Sequence, residues 1–138
     1  MDELVLCKLD ILKKLAKKYD LEVLVLFGSK AKNIGNKFSD FDFAYFSYKN
    51  FDFELDFKLK CELSEIFNTT KIDLINLNKQ EDIVLRYEIF NNGICIYEKE
   101  NGFFDNAQTN SWFNYIYQKD LFVNDNDFLK NSLEELVK

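Results

Sequence analysis

VLVLFGSKAK at residues 23–32 and SDFDFAYF at residues 39–46 are the two segments most informative about the fold. The apolar run Val23–Phe27 is short and uninterrupted, which is typical of a buried strand. It leads directly into the pair Gly28-Ser29, and ten residues separate Ser29 from Asp40. An Asp-x-Asp pattern then opens a second apolar run. The spacing predicts two strands, with polar residues where the first strand ends and the second begins.

Asp40 and Asp42 lie in the predicted second strand, from residue 40 to residue 48. Strand residues two apart point to the same face, so the two carboxylates are expected side by side. Mg²⁺ takes one or two carboxylates together with phosphate oxygens, and paired metal ions can stabilise both oxygens of an in-line displacement. Gly28 allows close approach of a phosphate, which the Ser29 hydroxyl and the amides of a following helical turn can bind.

Turn chemistry at the start of a strand would account for Asp40 alone. It does not account for Asp42, because an unpaired carboxylate inside an apolar strand is costly. The stretch therefore predicts a site for Mg²⁺ (or Mn²⁺) and a phosphate chain, with a relic site or a structural ion pair as the alternative.

The order Gly-Ser, ten residues, Asp-x-Asp resembles the signature of nucleotidyltransferases with a DNA polymerase β-type core. The small size resembles the minimal nucleotidyltransferase (MNT) branch, which includes antitoxins partnered with HEPN-domain toxins. The resemblance covers residues 20–97 and implies an α/β fold, a small mixed twisted sheet flanked by helices, as in the polymerase β palm. The chain lacks the usual Arg-rich turn and has Lys30, Lys32 and Asn33, with Gly35 further on. The lysines keep the positive charge of that turn, so the departure concerns only the shape of the turn.

Asp73 interrupts a third apolar strand, predicted over residues 71–77. In the family a carboxylate from a later strand joins the first two, and the resemblance assigns this position to Asp73. It implies that Asp73 deprotonates the attacking hydroxyl and helps to hold a metal ion. The alternative is that Asp73 belongs to an ordinary edge strand and has no catalytic role. Lys30 is a further candidate for contact with the nucleotide, and the alternative is a solvated lysine in a turn. For Arg86, a surface ion pair is favoured over contact with the triphosphate.

Composition limits the classes of protein that the chain can belong to. Its net charge of −6 argues against a direct nucleic-acid binder, which needs a basic face. Three scattered cysteines and no histidine argue against a zinc site and a disulfide framework. We expect no signal peptide, and no apolar run reaches membrane-spanning length, so we expect a cytoplasmic protein without membrane contact.

The 138 residues are expected to form one domain over 1–138. Helical periodicity predicts an N-terminal helix over 2–19, ahead of a catalytic core at 20–97. Residues 51–63 alternate between apolar and charged, which by itself favours a strand. That run is longer than most strands, and the family resemblance requires a helix over 53–67. The remaining predictions are a helix that begins at the N-cap Asn78 and ends at Asn92-Gly93, a strand over 94–97, and C-terminal helices over 103–137.

The resemblance implies transfer of AMP from ATP to a tyrosine hydroxyl of a HEPN toxin, with release of pyrophosphate. The chain would then be the antitoxin of a toxin–antitoxin pair and could form a hetero-oligomer with the toxin. Asp40, Asp42 and Asp73 are the expected catalytic and metal-binding residues, and Gly28, Ser29 and Lys30 the expected ATP-binding residues. Two alternatives are an antitoxin that only binds its partner and a small-molecule transferase of the aminoglycoside-modifying type.

Overall fold

A computed structural model describes residues 1–32, 39–48 and 53–118 of the chain. Nine helices and strands have both ends in these ranges, and a further helix, α6, is described over 103–118. In chain order they are α1 (Glu3–Cys7), α2 (Leu9–Lys18), β1 (Val23–Phe27), α3 (Ser29–Lys32), β2 (Phe41–Phe46), α4 (Phe53–Phe67), β3 (Ile72–Asn76), α5 (Ile83–Asn92), β4 (Ile94–Glu98) and α6.

The four strands form one mixed sheet in the order β3-β2-β1-β4. β1 pairs antiparallel with both β2 and β4, whereas β2 and β3 run parallel. A parallel pair needs a crossover connection, and α4 lies in the connection between β2 and β3. Because β1 is central, all five of its side chains are buried. The predicted α/β class, with a small mixed sheet flanked by helices, is confirmed.

Each face of the sheet packs against a different set of helices. One face carries Phe43 and Tyr45 and packs against α2 and α4 through buried leucines such as Leu12, Leu59 and Leu63. The other face carries Val25 and Ala44 and packs against α5 and α6 through Ile89, Phe90, Phe103 and Phe104. Side chains alternate along a strand, so Asp42 belongs to the same face as Ala44. The candidate site therefore lies on the α5 side of the sheet.

The structure has two helices where the sequence predicts one helix over residues 2–19. The break is at Lys8, whose backbone has φ −104° and ψ 7°. The Lys8 amide donates to the carbonyl of Val5, three residues back, rather than continuing the α-helical pattern. Apolar periodicity runs across this break, because Val5 and Leu12 are both fully buried, and the sequence pattern alone does not reveal it.

The helix over 53–67 is confirmed at the predicted bounds. Leu59, Leu63 and Phe67 bury one face of α4, as four-residue spacing requires. The strand-like alternation arises because two further aromatic residues of this helix, Phe53 and Phe57, are 82% and 69% exposed. Apolar residues on the solvent face therefore produced the misleading period of two.

The prediction that Asn78 caps α5 is wrong, and the N-cap is Asp82. The Asp82 carboxylate accepts from the amides of Val84 and Leu85, at 3.0 and 3.2 Å. Asn78 instead bridges the ends of β2 and β3. Its side chain accepts from the Ser47 amide at 3.1 Å and donates to the Ser47 carbonyl at 2.8 Å. This pair of bonds acts as one further rung of the sheet, which the local sequence did not indicate.

Helix α6 packs onto α5 through polar and aromatic contacts. Tyr115 stacks on Tyr87 with ring centroids 4.2 Å apart, and the Asn91 amide donates to the Ser111 hydroxyl at 2.9 Å. The last predicted helix, with Leu129, Leu133 and Leu136, lies outside the described residues. Within the described ranges, no helix combines the length and the apolar character needed to cross a membrane.

Candidate functional site

Asp42 and Asp73 lie side by side in neighbouring strands. They are register partners in the parallel pair of β2 and β3, so their side chains project from the same face of the sheet. Asp40 is exposed and lies one residue before β2. The charges of both Asp73 and Asp40 act on the Asp42 carboxyl. The structure thus brings the three predicted acids together at the end of the sheet where β2 and β3 begin.

Gly28 forms the wall of this acid cluster next to Asp42. Its backbone has φ +73°, a left-handed conformation that residues with a side chain rarely adopt. A Cβ atom placed on Gly28 would lie 2.2 Å from Oδ2 of Asp42. Both the conformation and the close approach therefore require glycine. The turn that follows β1 touches the acid cluster directly, as the sequence spacing predicts.

The half-buried Asp42 has an unusually high proton affinity. Its pKa is raised from 3.8 to about 6, chiefly by burial and also by the Asp73 charge, a hydrogen bond with Asp73 and the Asp40 charge. Desolvation and repulsion between like charges both disfavour the ionised form. A nearby cation would relieve both effects. This electrostatic pattern is typical of a functional carboxylate cluster.

The residues present fit a hard divalent cation, because the cluster offers only carboxylate oxygens. Among the described residues, no three or more His, Cys, Asp and Glu side chains form a cage that could hold a metal ion. Mg²⁺ does not require such a cage, since it commonly uses one or two carboxylates and completes its shell with water and substrate phosphates. Asp40 and Asp42 are the pair that suits this arrangement, with Asp73 beside them.

Ser29 and Lys30 open the short helix α3, directly after Gly28. Ser29 is half-buried beside the cluster. Lys30 is only 4% exposed, so the alternative of a solvated turn lysine is wrong. Its ammonium group lies 3.4 Å from the Asp2 carboxylate and 4.6 Å from the centroid of the Phe41 ring. The predicted contact between Lys30 and a nucleotide stays a prediction.

Two residues that support the site were missed by the sequence reasoning. Asp2 pairs with Lys30, and Glu88 of α5 pairs with Lys32 of α3 at 2.8 Å. The other Glu88 oxygen accepts from Asn92 at 2.6 Å. These contacts tie the segment after Gly28 to the N-terminus and to α5. Residues so distant in the sequence carry no local pattern by which such pairs could be found.

Arg86 is the only arginine in the chain, and the surface ion pair expected for it is not found with any described residue. It is half-buried, and one guanidinium nitrogen, Nη1, donates to the carbonyls of Leu77 and Gln80 at 2.7 and 3.1 Å. No carboxylate pairs with it among the residues that the structure describes. Burial lowers the pKa of the guanidinium from its ordinary value. Arg86 therefore organises the connection between β3 and α5.

Solved structures with the same fold include one chain of several toxin–antitoxin complexes. A crystal structure of a toxin–antitoxin with AMP-PNP is 17% identical with a TM-score of 0.69, over 94% of this chain and 97% of that chain. The MntA–HepT toxin–antitoxin complex is 16% identical with a TM-score of 0.64, over 95% and 97% of the two chains. The structure of a tri-AMPylated Shewanella oneidensis HEPN toxin in complex with MNT antitoxin contains a chain that is 16% identical with a TM-score of 0.64, over 95% of this chain and 96% of that chain. These likenesses establish the fold.

Sequence comparison gives the family. No curated protein matches the chain at a significant level. The family described as Polymerase beta, Nucleotidyltransferase matches residues 10–102, which run from α2 to the segment after β4 and include the Gly28 turn and all three acids. The match covers well over half of the chain, and the fold agrees with it. The chain belongs to the Polymerase beta nucleotidyltransferase family.

Proposed function

We propose that the chain is a protein adenylyltransferase that transfers AMP from ATP to a tyrosine hydroxyl of a HEPN toxin and so acts as its antitoxin. The observation that carries this proposal is the register of Asp42 with Asp73, next to a glycine that touches Asp42. This arrangement joins a cation-binding carboxylate, a second carboxylate and a turn open to phosphate within one site. Phosphoryl transfer depends mainly on such positioning and electrostatic stabilisation.

Asp40 and Asp42 are proposed to hold Mg²⁺ (or Mn²⁺), which when bound supplies positive charge to the phosphate oxygens of ATP. Gly28 leaves space for the phosphate chain, and the Ser29 hydroxyl donates a hydrogen bond to it. The pyrophosphate leaves as the acceptor oxygen forms its bond to the α-phosphorus. The residues in these roles all lie within the two segments 23–32 and 39–46.

Asp73 is proposed as the general base. It is exposed on β3, the edge strand of the described sheet, so that a bulky acceptor can reach it. The acceptor hydroxyl gives its proton to Asp73, while its oxygen attacks the α-phosphorus and the bond to pyrophosphate breaks. Asp42 is less exposed than Asp73 and is in contact with Gly28, which suits it to the phosphate side of the reaction.

The acceptor is proposed to be a protein because Asp73 is exposed on the edge strand of the described sheet. The solved structures of similar fold support a HEPN partner and adenine nucleotide chemistry, since one contains AMP-PNP and another a tri-AMPylated HEPN toxin. Exposed aromatic residues on α6 supply contact area for such a partner, namely Trp112, Phe113 and Tyr117, at 43%, 59% and 66% exposure.

The experiment is pyrophosphate release from ATP with the HEPN partner as acceptor, with and without Mg²⁺. We expect release that needs both Mg²⁺ and the partner, and its loss in the double variant Asp40→Asn with Asp42→Asn. The matched control is Asp10→Asn with Asp105→Asn, which removes the same charge from exposed helical positions outside the cluster. Full activity of the first double variant, with correct folding of both, would overturn the proposal.

A further inference from the structure

A cavity lies at the end of the sheet opposite the acid cluster. It is bounded by Phe46, which pairs with Val23, whereas Asp42 pairs with Phe27 at the other end of the same two strands. Phe46 lies four positions after Asp42 along the strand, a distance of about 13 Å. The cavity has a volume of about 470 Å³, within the range of about 300–1,000 Å³ usual for small-molecule sites. It is therefore large enough for a ligand and separate from the acids.

Arg86 gives this cavity its positive charge. Both of its protein hydrogen bonds come from Nη1, so the donors on Nε and Nη2 have no partner among the described residues. Its guanidinium is 6.0 Å from the Phe90 ring, which also lines the cavity. Glu100 lines the cavity as well, but it is not within ion-pair distance of Arg86. A half-buried guanidinium that has no counter-charge among the described residues favours an anionic ligand.

Aromatic rings form one wall of the cavity. Phe46 meets Tyr48 edge-on at 4.9 Å, and Phe103 lies 5.7 Å from Phe46 and 6.4 Å from Tyr48. Tyr48 is nevertheless 72% exposed, so much of its ring is free to contact a ligand. A nucleobase can stack on such an exposed ring. The wall suits a ligand that carries a flat ring.

Carboxamides also line the cavity. Asn106, Asn110 and Asn114 recur every four residues along α6, which places them on one side of the helix, and all three line the cavity. Each carboxamide can donate and accept hydrogen bonds, as the edge of a nucleobase requires. The arginine thus suits a phosphate, the aromatic rings suit a nucleobase, and the carboxamides suit the edge of that base.

We propose that this cavity is a second ligand site, which binds a nucleoside monophosphate with its phosphate on Arg86 and its base on the Tyr48–Phe103 wall. The site does not depend on the acid cluster or on a divalent cation. It goes beyond the proposed transfer reaction, since a chain without transferase activity could still bind a ligand here.

The test is titration calorimetry of the full chain with AMP in the absence of divalent cations, with inorganic phosphate and adenosine as separate probes. We expect one AMP per chain, and at least about tenfold weaker binding of either probe alone. Asn110→Asp keeps the shape of the side chain but adds a negative charge to the lining. It should weaken AMP binding by about tenfold or more, because like charges repel across a partly enclosed site.

Two controls separate this site from the acid cluster and from unfolding. Asn68→Asp adds the same charge at an exposed position after α4 and should leave AMP binding unchanged. Asp40→Asn with Asp42→Asn should also leave it unchanged. Absence of AMP binding to the wild type, or binding that Asn110→Asp does not affect, would overturn the proposal. Equal affinity for AMP and phosphate would overturn the role of the aromatic wall.

Discussion

The Cα atom of Gly28 lies so close to Asp42 that a Cβ there would come within 2.2 Å of the carboxylate oxygen Oδ2. This contact joins the turn after β1 to the acid cluster, and it explains why a Gly-Ser pair and an Asp-x-Asp pattern occur together. Any side chain at residue 28 must displace the carboxylate on which the proposed chemistry depends.

We predict that Gly28→Ala lowers both stability and transfer activity. An alanine at φ +73° is strained by about 1–2 kcal/mol, and its methyl group also displaces Asp42. Gly102→Ala is the matched control, because Gly102 has φ +94° and no atom within 4 Å of the position of a Cβ. Thermal melts should show destabilisation of both variants, whereas pyrophosphate release should fall at least about tenfold only in Gly28→Ala. Equal activity of the two variants would contradict the role of this contact.

We predict that Asp42→Asn stabilises the metal-free protein at neutral pH. The pKa of Asp42 is about 6 in the fold, against 3.8 for an ordinary aspartate, so the folded state holds this proton more tightly than the unfolded state. The contribution of Asp42 to stability is therefore fully present below about pH 4 and is lost as the pH rises through about 6. Asparagine does not ionise, so the Asp42→Asn variant does not lose stability in this way as the pH rises.

The measurement is the difference in free energy of unfolding between Asp42→Asn and the wild type, taken from pH 4 to pH 8 without metal. The difference should grow in favour of the variant between pH 4 and pH 6 and then level off. Added Mg²⁺ should stabilise the wild type and not the variant. A difference that is constant with pH would mean that Asp42 titrates normally.

Asp73→Asn should separate catalysis from binding. If Asp73 is the general base, the transfer rate should fall by about 10²-fold or more, while affinity for ATP changes little. Single-turnover rates and equilibrium ATP binding measure the two quantities independently. Parallel loss of rate and affinity would make Asp73 mainly a metal ligand, and loss of neither would exclude it from the site.

The pair Lys30–Asp2 tests whether Lys30 acts on the nucleotide or on the fold. Each variant removes one member of an ion pair that is largely shielded from solvent, so Asp2→Asn and Lys30→Met should each destabilise the protein by about 2 kcal/mol, and the double variant by less than their sum. The predicted contact with ATP requires in addition that Lys30→Met weakens ATP binding more than Asp2→Asn does. Equal ATP affinities in the two variants would assign Lys30 a structural role.

The parts of this site that were predictable from the sequence are those encoded locally. The strand Val23–Phe27, the Gly28 turn and the Asp40–Asp42 pair follow from patterns within a few residues, and the family resemblance supplied Asp73. Contacts between distant segments carry no such pattern, which is why Asp2 beside Lys30 and the bridge from Asn78 to Ser47 were not foreseen. The break at Lys8 was missed because apolar periodicity continues through it.

On the proposed function, the acid cluster modifies the partner rather than only masking it. The most direct measurement is the intact mass of the HEPN partner after incubation with this chain, ATP and Mg²⁺, together with the RNase activity of the same sample. We predict that the partner gains the mass of whole AMP units on a tyrosine, that its RNase activity falls in proportion, and that Asp40→Asn with Asp42→Asn abolishes both effects. If the partner keeps its original mass and this double variant protects as well as the wild type, the chain acts by binding alone and the account is wrong.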